Sequence, residues 1–265
     1  MVNMLRYLKL FFKLAKLRII NQMEYRFSFF FLVLGKILQL AFALIFFGVI
    51  YLKVDTIAGW SFPQVLMLFA IYNFVDLVAS MLFSKNLFWG LPGLIEQGDL
   101  DIFLTKPINI QFLVSFNDFD VMELVSLIPA LLLLGFSFSI FPIQISIISF
   151  VAFFIFVITS LIFIYSVSLI IGSLSVWTIR LYVGNLFDSL TKMVRIPGDF
   201  YKGVVKFILY YLFPIVVIST VPAKALFGVL DIQYMVFILL FTSILFIIST
   251  RFFKYALKKY SSASS

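Results

Sequence analysis

The sequence predicts an all-α integral membrane protein with six transmembrane helices. Apolar residues make up 63% of the 265 residues and charged residues only 12%, whereas soluble domains carry about 25% charged residues. The apolar runs are continuous rather than alternating with polar residues, which favours helices over a β-barrel. The chain has neither Cys nor His, so disulfides, thiolate or imidazole metal sites and Cys–His or Ser–His catalysis are excluded.

Six apolar runs approach or exceed the roughly 20 residues needed to cross the hydrocarbon core. They are 27–52, 62–84, 121–139, 143–174, 204–221 and 232–250. The fourth run is long enough to tilt or to leave the membrane as a helix. Pro214 within the fifth run and Pro222 directly after it predict a break near the outer end of that helix.

The basic residues predict the orientation of these helices. Seventeen of the twenty Lys and Arg residues fall on one side: Arg6, Lys9, Lys13, Lys16, Arg18 and Arg26 before the first run, Lys85 and Lys106 in the second–third loop, Arg180, Lys192, Arg195, Lys202 and Lys206 in the fourth–fifth loop, and Arg251, Lys254, Lys258 and Lys259 in the C-terminal tail. Lys53 and Lys224 fall on the other side, and Lys36 lies within the first run. Because cytoplasmic loops are enriched in Lys and Arg, both termini are expected in the cytoplasm. This arrangement accounts for the net charge of +8 without nucleic-acid binding.

The first 26 residues combine a basic and an apolar helical face. The basic residues with helical spacing are Arg6, Lys9, Lys13 and Lys16, and the apolar ones are Leu8, Phe12, Ala15 and Ile19. Such a helix can lie in the cytoplasmic interface with its lysines at anionic headgroups. The alternative is a basic flank of the first span that is merely helical.

The second–third loop, 85–120, is too polar to span the membrane yet carries apolar residues at helical spacing. Leu91, Leu94 and Ile95 predict a short helix with Pro92 in its first turn and Gly98 at its end. A second short element should follow over 99–104 and end at Lys106 and Pro107. The loop also contains an acidic cluster: Glu96, Asp99 and Asp101. These features suit docking to a soluble partner, or equally an interfacial hairpin lying on lipid.

Four polar residues stand inside the first two runs: Lys36, Gln39, Asn73 and Asp76. Lys36 should lie about 13 Å and Asp76 about 12 Å from the cytoplasmic side, at ~1.5 Å per residue. Opposite charges at equal depth on neighbouring helices are expected to pair, because each alone is costly in hydrocarbon. The sequence leaves open whether these residues only join helices or line a transport path.

Four separated stretches resemble one family. They are AGWSFPQVLMLFAIYNFVD, GLIEQGDLDIFLTKPIN, VPAKALFG and RFFKYALKKYSSASS. Together they resemble the ABC type-2 permeases, in a largely uncharacterised six-span branch, over nearly the whole chain. The pattern G-x-L-D-x-x-L-x-K-P maps onto Gly98, Leu100, Asp101, Leu104, Lys106 and Pro107.

The resemblance implies a single permease domain, 1–265, with an amphipathic helix at 1–26 and a coupling loop at 85–120. Two separate ATPase subunits would bind ATP and Mg²⁺, so no catalytic residue, cofactor or metal is expected in this chain. The residues expected to contact the ATPase are Leu91, Leu94, Ile95, Glu96, Gly98, Asp99, Leu100, Asp101, Leu104, Lys106 and Pro107. A second permease, identical or related, would complete the path, and short re-entrant helices would lie between the fifth and sixth spans, where Pro214 and VPAKALFG match. The expected location is the cell membrane, specifically the bacterial cytoplasmic membrane.

The Phe-rich, weakly charged spans favour a hydrophobic or amphipathic substrate, and the resemblance implies an exporter. A secondary transporter or channel is the alternative, but it would usually show internal repeats or paired broken helices. An intramembrane enzyme would need clustered polar residues, which the spans lack. The fourth–fifth loop, 175–203, is interpreted as a membrane-surface segment or a second ATPase contact.

Overall fold

The computed structural model describes residues 7, 9–13, 16, 26–140, 145–178 and 183–261. These residues are mostly helical. The helices are α1 (Arg26–Tyr51), α2 (Phe62–Ala79), α3 (Leu91–Gln97), α4 (Leu100–Leu104), α5 (Ile110–Phe116), α6 (Val121–Ser139), α7 (Ile147–Leu174), α8 (Val183–Met193), α9 (Gly203–Phe207), α10 (Thr220–Leu226) and α11 (Ile232–Lys259). The π-helical turns Ser80–Ser84 and Asn86–Gly90 extend α2, and Ile208–Leu212 extends α9. Short 3-10 turns occur at Gly198–Phe200 and Ile215–Ile218, and two short strands are β1 (Thr56–Ile57) and β2 (Trp60–Ser61).

Within the described residues, four helical stretches are long and apolar enough to cross a membrane: Leu34–Tyr51, Phe62–Ser84, Ile147–Leu174 and Ile232–Lys259. They coincide with the first, second, fourth and sixth predicted runs. The third predicted run is helical as α6, but its apolar stretch of described residues is shorter.

A β-hairpin joins α1 to α2 and marks one end of the bundle, called here the hairpin end. Thr56 pairs with Ser61 and Ile57 with Trp60. The two central residues, Ala58 and Gly59, have φ angles of 49° and 82°, as a tight type I′ turn requires. The Tyr51 hydroxyl donates to the Trp60 carbonyl at 2.8 Å, which ties the end of α1 to the hairpin. The opposite end carries the loop 85–120 and is called the loop end.

The stretch 183–199 runs from the loop end back to the hairpin end. Three contacts along α2 and its extension trace this path. The Phe187 ring lies 5.5 Å from the Phe88 ring at the loop end. The Arg195 guanidinium lies 5.3 Å from the centre of the Tyr72 ring, midway along α2. Asp199 then accepts a hydrogen bond from the indole of Trp60 at the hairpin end, at 3.1 Å.

Residues 203–226 leave the hairpin end and return to it, and we call this segment the excursion. Lys206 near its start and Lys224 near its end both bind the Asp199 carboxylate, at 2.9 and 2.6 Å. Between them, the Val217 carbonyl accepts a hydrogen bond from Ser160, near the middle of α7, at 2.6 Å. The predicted fifth span, 204–221, is therefore wrong, because a spanning helix would place its two ends at opposite ends of the bundle.

The assignment of all of 175–203 to the side that carries the loop 85–120 is also wrong, because Asp199 lies at the hairpin end. Lys206 and Lys224, expected on opposite sides, share one carboxylate. Moving Arg195, Lys202 and Lys206 out of the predicted cytoplasmic group still leaves fourteen of the twenty basic residues of the sequence in that group. The direction of the charge bias is unchanged.

The described residues of the N-terminal tail pack against the loop end. The Tyr7 hydroxyl accepts from the Asn109 backbone N–H at 3.3 Å, and the Phe11 ring lies 5.8 Å from that of Phe119. Lys9, Lys13 and Lys16 are exposed, as is Phe12. The other residues of the predicted amphipathic faces, Arg6, Leu8, Ala15 and Ile19, lie outside the described residues.

Close packing of α7 on the extension of α2 depends on a glycine. A Cβ on Gly172 would lie 2.4 Å from the Leu87 carbonyl oxygen and 3.2 Å from Leu91 Cδ2. The first of these atoms is backbone and cannot rotate away. Gly172 therefore lets the base of the loop rest directly on α7.

We expect Gly172→Ala to lower the melting temperature of the detergent-solubilised protein by several degrees, because overpacking costs about 1–3 kcal/mol. Gly135→Ala in α6 is the matched control, since a Cβ there meets no atom within 4 Å. That control should be neutral or stabilising, because Ala favours a helix over Gly by about 1 kcal/mol. Equal melting temperatures for the two variants would contradict the close contact.

Candidate functional site

The loop 85–120 forms two short helices at the positions that the sequence predicts. Pro92 lies in the first turn of α3, and Gly98 ends that helix with φ 77°, a left-handed conformation that glycine adopts without strain. The Gly98 N–H donates to the Ile95 carbonyl at 3.3 Å. α4 follows and ends before Lys106 and Pro107. Pro92 and Gly98 therefore correctly predicted the start and the end of α3, and Lys106 with Pro107 correctly predicted the end of α4.

The base of the loop is buried in this chain. Leu91, Ile95 and Leu100 are 1%, 6% and 0% exposed and belong to the hydrophobic core. Leu94 is partly buried against the same core. Of the residues expected to contact the ATPase, Leu91, Ile95 and Leu100 therefore already fill packing sites within this chain.

The opposite side of the loop is exposed. Ile102 and Leu104 on α4 are 57% and 45% exposed. The side chains beside them that also face outward are Glu96, Asp99, Lys106 and Pro107, while Asp101 is half-buried. Ile102 was absent from the residues expected to contact the ATPase, since spacing alone could not tell which side of so short a helix is covered.

Polar contacts join the two ends of the loop to each other and to α6. The Asn86 amide donates to the carbonyls of Ser115 and Asp118, at 2.9 and 2.7 Å. Lys85 forms an ion pair with Asp120 and a second with Glu123 at 3.4 Å. A force applied to the exposed side of α4 would therefore be transmitted to α2, α6 and α7 rather than absorbed by a loose connection.

Lys36 pairs with an acid that the sequence analysis left out. Its Nζ lies 3.8 Å from Glu123 Oε2, near the start of α6. The other carboxylate oxygen of Glu123, Oε1, lies 3.4 Å from Lys85 Nζ. One carboxylate thus connects α1, α6 and the loop.

The four polar residues expected inside the first two spans line one small pocket between α1, α2 and α6. They are Lys36, Gln39, Asn73 and Asp76. The Asn73 amide donates to the Phe69 carbonyl at 2.7 Å, so one of its two N–H groups has a partner within α2. The direct pairing of Lys36 with Asp76 stays a prediction.

Asp199 is the centre of a charge cluster that sequence reasoning missed. Oδ1 accepts from Lys206 at 2.9 Å and from the Tyr210 hydroxyl at 3.0 Å. Oδ2 accepts from Lys224 at 2.6 Å and from Trp60 Nε1 at 3.1 Å. Burial alone would raise the pKa of Asp199, but hydrogen bonds from the two lysines and the indole outweigh it and lower the pKa from 3.8 to about 2. The cluster joins the hairpin to both ends of the excursion.

No sequence signal pointed to this cluster, because Trp60, Asp199 and Lys224 are far apart in the chain and were assigned to different sides. Arg195, beside Tyr72, was missed for the same reason. Within the described residues, no group of three or more Asp or Glu side chains that could hold a metal ion lies together.

Comparison with known proteins agrees with this architecture. A search of curated proteins found no match. A family model described as "ABC-2 family transporter protein" matches residues 37–264, which include the loop, the excursion and the Asp199 cluster. The chain therefore belongs to the ABC-2 family of membrane transporter proteins.

Proposed function

We propose that this permease couples ATP hydrolysis by two separate ATPase subunits to the export of a hydrophobic or amphipathic substrate. ATP and Mg²⁺ bind to those subunits, and a second permease, identical or related, completes the transport path. The permease itself carries no catalytic residue. Its place is the cell membrane, with both termini in the cytoplasm.

The observation that carries the coupling proposal is the two-sided loop at 85–120. Its buried base, Leu91, Ile95 and Leu100, holds it on the bundle. Its exposed side presents Ile102 and Leu104 among charged residues, the pattern of a small interface with apolar anchors and a polar rim. An ATPase that grips this side can move α2 and α7 through the rigid base.

Six membrane crossings fit the path of the chain. They are α1, α2, α6, α7, the stretch 183–198 and α11. The fifth is supported by the contacts of Phe187, Arg195 and Asp199 along α2. Polar residues are acceptable in this crossing because Arg195 and the buried Thr191 lie against protein rather than lipid.

Co-purification tests the proposal. A tagged copy of the permease, extracted in mild detergent from its own cells, should retain an ATPase subunit and show vanadate-sensitive ATP hydrolysis. A permease that transports in vesicles without any ATPase would contradict the proposal and support a secondary transporter or channel. A tagged copy with Ile102→Asp and Leu104→Asp, two side chains that are exposed in the permease alone, serves as the control for non-specific retention.

A further inference from the structure

A cavity of about 500 Å³ opens at the hairpin end, beside the Asp199 cluster. Its wall combines both ammonium groups of the cluster, Lys206 and Lys224, with Tyr210, Tyr211 and Tyr234. The volume falls within the range of about 300–1,000 Å³ that small-molecule sites occupy. It is thus large enough for a headgroup.

The two lysines in this wall have N–H groups that Asp199 does not use. Four donors approach the Asp199 carboxylate, which is about as many as two carboxylate oxygens accept. Each ammonium uses one of its three N–H groups on Asp199. Within the Asp199 cluster, one negative charge between two positive charges leaves an excess of one positive charge, suited to an anion.

A cationic ligand is disfavoured despite the tyrosines. The Tyr210 ring already has the Lys206 and Lys224 ammonium groups 5.5 and 5.6 Å from its centre. A third cation would meet two like charges at that ring. Asp231, the other acid of the wall, accepts from the Tyr234 N–H at 3.1 Å and caps α11, where the helix N-terminus offsets its charge.

The mouth of the cavity is apolar. Phe207, Tyr211 and Val229 line the cavity and are 58%, 51% and 67% exposed. A free anion would make no use of these side chains. A phosphate attached to a diacylglycerol would cover them with the first carbons of its chains.

We propose that this cavity binds the phosphodiester headgroup of a phospholipid, with the phosphate oxygens on Lys206 and Lys224 and the glycerol and acyl carbons against Phe207 and Tyr211. The site belongs to a single permease chain and requires no ATPase. Its failure would therefore leave the proposed coupling function untouched.

Binding of a short-chain phosphatidylglycerol to the purified, delipidated protein tests the proposal. Lys206→Gln should weaken binding about tenfold or more, as loss of a charge-assisted hydrogen bond predicts. Lys206→Arg should keep it within about twofold. Lys202→Gln is the matched control, because Lys202 is exposed on the same segment but does not line the cavity. Equal binding by the Lys206→Gln and Lys202→Gln variants overturns the site.

Two further ligands and one further variant separate the parts of the proposal. Glycerol 3-phosphate should bind at least about tenfold more weakly than the lipid, since it leaves the apolar mouth uncovered. Equal affinity for it overturns the lipid assignment, and equal affinity for an uncharged short-chain diacylglycerol overturns the phosphate contact. Tyr211→Ala should weaken lipid binding without changing glycerol 3-phosphate binding. If Lys206→Gln does not fold, this variant still tests the contact between the lipid and the apolar mouth.

Discussion

Replacing Ile102 and Leu104 together by Asp is expected to abolish transport and release the ATPase, while the permease stays in the membrane at its normal amount. Both side chains are exposed in the permease alone, so the change removes little intramolecular packing. In an interface, two buried carboxylates without partners would cost several kcal/mol, which is enough to lose a small docking contact. Co-purified ATPase and substrate transport in vesicles measure the effect.

The swap Ile102→Leu with Leu104→Ile is the matched control, because it keeps apolar volume and should keep coupling. Leu100→Asp controls for folding. Leu100 is fully buried, so that variant should lose membrane-inserted protein rather than only coupling. Normal transport by the double Asp variant would show that α4 is not the docking surface.

A single cysteine at Lys202 should react from outside the cell with a membrane-impermeant thiol reagent, together with cysteines at Lys53 and Val229. All three positions are exposed at the hairpin end. Cysteines at Gln97 and Lys254, exposed at the loop end, should react only after the membrane is permeabilised. The natural chain has no cysteine, so each variant carries one reactive site.

The position of Lys202 decides between two topologies. If 204–221 spanned the membrane, Lys202 would label with Gln97. If 183–198 crosses instead, Lys202 labels with Lys53. Because the readout is present or absent rather than graded, one variant is sufficient, and labelling of Lys202 only after permeabilisation would rule out the excursion.

Local signals allowed prediction of the loop. Pro92, Gly98 and Pro107 act through backbone geometry, which depends on the nearest few residues only, and α3 and α4 begin and end where those residues indicate. Which side of each helix is covered depends on α7 and on Gly172. That tertiary contact leaves no periodic pattern in a helix of five or seven residues.

The fifth crossing that we propose could not be found by hydropathy, because hydropathy ranks residues by transfer to lipid. Stretch 183–198 includes Lys192 and Arg195, which lowers its score, yet Phe187 and Val194 in it are buried in protein. Conversely, the excursion has a high hydropathy because its apolar residues Ile215–Ile218 are buried in the interior of the protein. Burial in protein and burial in lipid select for apolar residues alike.

Depth counting did not reveal that Lys36 reaches Glu123. It located the backbone of the residue, whereas the ammonium group lies at the end of a long side chain. That group pairs with Glu123 near the start of α6, as a snorkelling lysine does. Asp76, with its short side chain, stays close to the depth of its own backbone.

The Asp199 cluster makes the hairpin end tolerant of acid. A carboxyl group whose pKa is lowered on folding contributes its full stability above its unfolded pKa of 3.8 and loses it as the pH falls toward the folded value of about 2. A solution at pH 5 in contact with the hairpin end would therefore leave both lysines, the indole and the excursion in place. As the pH falls from about 4 toward about 2, the hairpin and the two ends of the excursion lose their common anchor together. This end should then open as one cooperative unit while the long helices α2 and α7 remain folded.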